Sequence, residues 1–203
     1  MGVMMSLSPL VLTDKTHRFF RQLATAQAAT AAYLIGRIFQ AGGTPPNFSE
    51  SSPISQVCFT QSVELEFNPK ETLDPFSKGI WPSVINVKFH PGSSRPAGSS
   101  NLSATQLLMG SLYEHAFISY FENVRDQIEA KHGTTSNWPN VLTFGRLVRN
   151  AFAHGGTLDI RNNAAATWGG ISYSRSENGR QVLYNDLSSG DLTLLMVEMD
   201  GLF

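Results

Sequence analysis

The chain has 203 residues, 41% apolar, 10% aromatic and 15% charged, with Lys plus Arg at 15, Asp plus Glu at 16 and a formal net charge of -1. That length suits one compact domain, or one domain carrying an insertion, and the apolar content excludes a disordered chain. The near-zero net charge excludes a globally basic nucleic-acid coater, so contact with a polyanion must come from a local patch.

The single cysteine, Cys58, excludes an intrachain disulfide framework and a cysteine-rich zinc site, and it fits a reducing, cytoplasmic setting. No apolar run reaches the roughly 20 residues that span a bilayer, so no membrane partner is expected. The N-terminal MGVMMSLSPLVLTDK has no basic region before its short apolar stretch and reads as no signal peptide. Met1-Gly2 with Ser6 matches a loose myristoylation pattern, and Asn47 and Asn101 match glycosylation acceptors; without a secretion signal none carries weight.

In chain order, the first helix is predicted from about Thr13 to Ala41, on the helical spacing of Phe20, Leu23, Ala24, Ala31, Leu34, Ile35, Ile38 and Phe39. Gly42-Gly43 and Pro45-Pro46 stop it. Residues 42–102 are rich in Gly, Pro and Ser but hold two alternating runs, Val63 to Phe67 and Ile85 to Phe89. A structureless loop of that length is unusual in a compact domain, so a small β insertion is expected there. The second helix starts at Ser103, with Gln106 completing a capping box and Leu102 and Leu107 stapling it. Its apolar stripe is Leu107, Leu108, Leu112, Phe117, Phe121, Val124 and Ile128, and Gly133 ends it. The third helix opens near Trp138-Pro139 and ends at Gly155-Gly156. A hairpin is expected within about 164–185, pairing Trp168 to Tyr173 with Arg180 to Tyr184 across Asn178-Gly179. The fourth helix begins at Ser188, boxed by Asp191 and stapled by Leu187 and Leu192.

The third helix carries the chemistry. At about 100° per residue from Arg146, the apolar Phe144, Val141, Val148, Ala151 and Phe152 fall between roughly 140° and 240°. Arg149, Arg146, Asn150 and His154 fall on the opposite side, joined by Thr143. A solvated face is the ordinary fate of such a stripe. Three features argue for more. The stripe contains no acid, whereas exposed helices mix signs. It is built from Arg and Asn, which suit planar hydrogen bonding to oxygens. And the His stands at the helix end before two glycines, which let backbone or substrate come close.

The segment Arg149-Asn150-Ala151-Phe152-Ala153-His154-Gly155 resembles the signature of the HEPN superfamily, an Arg followed four to six residues later by His, often with a polar residue after the Arg. The match is local. The resemblance implies a HEPN-like antiparallel helical bundle; with the β insertion at about 42–102, which the signature does not predict, and the hairpin, the expected fold is one α+β, mainly helical domain over residues 1–203. The resemblance also implies a metal-independent endoribonuclease that needs no cofactor, acts on RNA, and pairs two-fold as a homodimer through the third helix. The motif residues are Arg149, which would bind the scissile phosphate, Asn150, which would orient it or the imidazole, and His154, which would move the proton; outside the motif, Arg146, Thr143 and Arg161 are expected to bind substrate. The setting the resemblance implies is a toxin or phage-defence effector with an antitoxin or regulatory protein as partner. In one toxin branch a Tyr stands two positions after the His; here that position is Gly156. The rival reading is a non-catalytic HEPN-like module that binds a nucleotide or a protein partner.

The residue chemistry agrees. RNA carries its own nucleophile in the 2′-OH, an imidazole can move its proton near neutral pH, and a guanidinium forks onto phosphate oxygens; neither needs a metal. One helix offers one His, so a second copy would supply the second. Residues 131–180 carry a local charge of +4. Trp168, Tyr173 and Tyr184 are candidates for base stacking, though such residues are more often sheet packing. His17, His90, His115 and His132 lack metal-ligand spacing, Glu64 and Glu66 read as a solvated strand face, and Cys58 reads as inert packing.

Overall fold

The computed structural model describes residues 9–43, 53–92 and 103–203. The N-terminal pattern at Met1-Gly2, Pro45-Pro46, both glycosylation acceptors and the Leu102 half of the staple lie outside them. The described residues form five α-helices and six β-strands. In order these are β1 (Leu10–Thr13), α1 (Phe20–Gln40), β2 (Ile54–Val57), β3 (Val63–Phe67), α2 (Lys70–Ser77) and β4 (Val84–Pro91). Then follow α3 (Ala104–His132), α4 (Asn140–Ala153), β5 (Ala166–Trp168), β6 (Ile171–Tyr173) and α5 (Ser189–Asp200). The architecture is mixed α+β.

The long helix α3 packs against α1, α4 and α5. Its buried Tyr113, Phe117, Tyr120, Phe121, Val124 and Ile128 fall within about 100° of one another, on one broad face. They meet Phe20 and Leu23 of α1, Phe144 and Val148 of α4, and Leu195 and Met199 of α5 in one core. Leu107 and Leu108, expected on the buried stripe, are exposed; they stand near the N-terminal end of α3, off its buried face.

Four antiparallel strands form the sheet, in the order β1-β4-β3-β2. In β3, Leu65 and Phe67 face inward while Glu64 and Glu66 take the other face, as strict alternation requires. Glu66 lies beside Lys88 at 3.8 Å and His90 at 3.3 Å. The strands expected at 63–67 and 85–89 are present, but the sheet is not contained in the insertion. Residues 10–13 are strand β1, with Leu10 opposite Val87 and Thr13 opposite Val84, and the helix expected from about Thr13 starts at Phe20. The apolar spacing that suggests a helix from Thr13 begins in earnest only at Phe20, and the hydrogen-bonding edge of β4 takes the Leu-Val-Leu run before it.

Helix starts follow the cap chemistry. Ser103 and Ser188 both accept a bond from the backbone three residues on, and Gln106 and Asp191 complete their boxes. Gly133 ends α3 with a left-handed φ of 74°. The hairpin differs from its expected form. β5 and β6 pair with each other around Gly169-Gly170, with Ala166 opposite Tyr173 and Trp168 opposite Ile171. Residues 180–182 instead run beside 156–158: Leu158 N–H donates to Arg180 O at 3.0 Å and Val182 N–H to Gly156 O at 3.0 Å. Asn178-Gly179 does form a tight turn, Arg180 N–H donating to Glu177 O at 3.0 Å, but it leads residues 180–182 to 156–158 and not to β6. Trp168 and Tyr173 are buried, Tyr173 stacked on Phe144 at 4.8 Å, so both belong to the core and neither offers a face to a base. Tyr184 is half-buried and its hydroxyl donates to Gln106 O.

Candidate functional site

The site is built on α4. Its apolar face, Phe144, Leu147, Val148 and Ala151, is anchored in the core, so the opposite stripe is held by the packing of the helix itself. His154 ends the helix: its N–H donates to Ala151 O at 3.0 Å, and Gly156 N–H reaches the same carbonyl at 2.8 Å. Gly155 and Gly156 follow with φ of 83° and 84°, a conformation that L side chains rarely adopt. A Cβ on Gly156 would stand 2.5 Å from Gln181 Nε2. The glycine pair therefore turns the chain back at once, and residues 159–162 return beside the helix they have just left.

Between α4 and that returning segment lies an open cleft of about 370 Å³. Arg146, Leu147, Asn150 and His154 form one wall, and Asp159, Ile160, Arg161 and Asn162 form the other. Four of the six residues expected from sequence thus come together: Arg146, Asn150, His154 and Arg161. His154 is exposed.

The far wall is held by a side chain. Ile160 N–H donates to Asn178 Oδ1 at 2.7 Å and Asn178 Nδ2 donates to Ile160 O at 3.1 Å. The carboxamide of Asn178 thereby continues the backbone pairing of 156–158 with 180–182 where no strand is left to do so. Arg161 pairs with Asp159 at 2.8–2.9 Å on the surface. Asn162 Oδ1 accepts Ala164 N–H at 3.1 Å, the local turn that Asn favours.

Arg146 differs from Arg161. Its guanidinium makes no ion pair or hydrogen bond among the described residues, and its buried Nε has no partner. Burial lowers its pKa from the usual arginine value, and an arginine stays charged even so. With Arg161 matched by Asp159, Arg146 is the uncompensated cation of the cleft among the described residues. That is the condition for an anion to be welcome there.

Arg149 and Thr143 are placed elsewhere. Arg149 does not line the cleft. Its Nη2 pairs with Glu122 of α3, its Nη1 donates to Asn150 Oδ1 at 3.1 Å, and it is 27% exposed. Thr143 Oγ1 lies 3.5 Å from Trp138 O, at the helix start. The four-membered stripe read from the helical wheel is thus divided. Its edge at Arg149 turns toward α3, and its centre faces the cleft. Sequence reasoning missed Glu122, Asp159, Asn162 and Asn178. Asn162 and Asn178 carry local turn signals, and Glu122 and Asp159 carry none.

Among the described residues no three His, Cys, Asp or Glu side chains are grouped as metal ligands, and no helix is long and apolar enough to cross a membrane. No family model matches the chain, and no curated protein or solved structure matches it.

Proposed function

We propose that the chain is a metal-independent endoribonuclease of HEPN type that works as a homodimer. One observation carries the reading: Arg146, Asn150 and His154 line a single open cleft with Arg161, and Arg146 brings a cation that no carboxylate among the described residues neutralises. His154 of one copy takes the proton from the 2′-OH of RNA. The 2′ oxygen bonds to phosphorus, the bond from phosphorus to the 5′ oxygen breaks, and His154 of a second copy protonates that leaving oxygen. Arg146 and Arg161 stabilise the charge on the non-bridging oxygens. Asn150 donates to the same group. Arg149, to which the family resemblance assigns the phosphate, has its charge matched by Glu122; Arg146 therefore makes the first phosphate contact. The products are a 2′,3′-cyclic phosphate and a 5′-OH end. A toxin or defence effector with a restraining protein partner is the setting this reading proposes.

The test is RNA cleavage in the presence of EDTA by wild type, His154→Ala, Arg146→Ala and Arg149→Ala. Wild type is expected to cut and to leave cyclic-phosphate ends, and His154→Ala to lose about 10²- to 10⁴-fold. Equal activity in all four proteins, or loss of wild-type cleavage on chelation, overturns the proposal. The matched charge of Arg149 favours a second reading, a module that binds a phosphate-bearing ligand in this cleft without cutting it. Oligonucleotide binding that depends on Arg146, with no cleavage, would decide for that one.

A further inference from the structure

We infer that Glu122 is a positioning residue of the cleft: acting through Arg149, it fixes the Asn150 carboxamide so that Nδ2 faces the cleft. The inference rests on the proposed phosphate-binding role of that cleft. It starts from a chain of contacts that crosses two helices. Glu122 on α3 pairs with Arg149 Nη2, and Arg149 Nη1 donates to Asn150 Oδ1 at 3.1 Å. Asn150 itself lines the cleft, while Arg149 does not.

The chemistry of the guanidinium sets the orientation. Arginine has five N–H donors and no acceptor, so an amide that meets it must present its oxygen. The amide is planar, and its Nδ2 therefore points away from Arg149. Nδ2 makes no hydrogen bond among the described residues. A phosphate in the cleft would then meet two N–H donors rather than the lone pairs of a carbonyl oxygen, which would repel it. Arg149 can hold this geometry only if it is held itself. Among the described residues its Nε has no partner, which leaves the pair with Glu122 as its anchor there outside Asn150. Glu122 is well placed to be that anchor: it lies between Phe121 and Val124, both buried in the core, on the longest helix of the described chain.

A simple charge argument gives the opposite sign. A carboxylate near an anion site should weaken anion binding by repulsion, so its removal should help. The two accounts are separated by a binding cycle on the full chain. The probe is a fluorescent 2′-O-methyl RNA oligonucleotide, whose capped 2′ oxygen cannot attack, read by anisotropy with wild type, Glu122→Gln, Asn150→Ala and the double variant. Glu122→Gln is expected to weaken binding about three- to tenfold with Asn150 present, and less than about twofold in the Asn150→Ala background. Arg149→Lys, which keeps the cation but loses the planar fork, is expected to weaken binding like Glu122→Gln. Melting temperatures of the variants report on folding separately. An equal loss in both backgrounds, no loss, or a gain in affinity overturns the inference. If wild type fails to bind, or Arg146→Ala binds as tightly as wild type, the functional reading of the cleft fails and this inference fails with it. Normal dependence on Arg146 with no effect of Glu122→Gln overturns the inference alone.

Discussion

Asn178→Ala tests how the far wall of the cleft is held. The substitution removes the two hydrogen bonds that tie Asn178 to the backbone of Ile160, at 2.7 and 3.1 Å. Ile160 is 4% exposed, so its N–H and C=O cannot simply turn to water. A typical side-chain-to-backbone bond contributes about 0.5–1.5 kcal/mol net, and a buried group left unpaired costs more, so the expected loss is about 1–3 kcal/mol. In a domain of this size that lowers Tm by roughly 2–4 °C per kcal/mol. The loss should also be local. Hydrogen exchange is expected to speed up at Ile160 and its neighbours in 159–162, while the core amides of α3 keep their protection relative to global stability. Cleavage should fall with it, because Arg161 and Asn162 ride on the released segment. Asn178→Asp is a stricter version: it keeps the acceptor for Ile160 N–H but sets a carboxylate oxygen against the Ile160 carbonyl, and it should be no more stable than Asn178→Ala. An Asn178→Ala protein with unchanged Tm and a still-protected Ile160 amide would refute the idea that this side chain substitutes for a missing strand.

Four further outcomes are expected. Asp191→Asn should cost roughly 3 kcal/mol or more in urea unfolding, because the buried carboxylate accepts from Phe59 N–H, Thr60 N–H and Oγ1, and Ser188 N–H and Oγ, and an amide would turn a donor toward donors. Arg146→Met should melt at or above the wild-type temperature while losing oligonucleotide binding, since it removes an unpaired, partly buried cation. Gly155→Ala should cost about 1 kcal/mol by thermal unfolding, all of it from the backbone, because φ is 83° and no atom stands within 4 Å of the added Cβ. Burial pushes the phenols of Tyr113, Tyr120 and Tyr173 well above the usual tyrosine value, and that of Tyr184 up to about 12. Their contribution to stability is therefore complete below the unfolded value near 10 and is lost as pH rises through the folded values. Phenolate absorbance of the three buried rings should appear only together with the loss of helical circular dichroism, and their ionisation in the still-folded protein would contradict their burial.

Local chemistry made much of this molecule legible in advance. Ser103 with Gln106 and Ser188 with Asp191 mark helix starts because the cap satisfies N–H groups only three residues away. The amphipathic pattern of residues 140–154 orients α4, because each residue's place on the helix follows from counting, and so Arg146, Asn150 and His154 were bound to share a side. The same counting could not tell which neighbour each would meet. Arg149 turns to Glu122, a residue far back in the chain, because α3 packs against α4. Residues 10–13 become a strand because β4 offers them an open edge, and Asn178 becomes part of a wall because 159–162 return past it. Local spacing sets the caps, the helix faces and the residues available for chemistry. Which cation keeps its charge free, which amide is oriented and where the cleft opens follow from the packing of distant segments, because pairing and burial depend on contacts that no local spacing encodes.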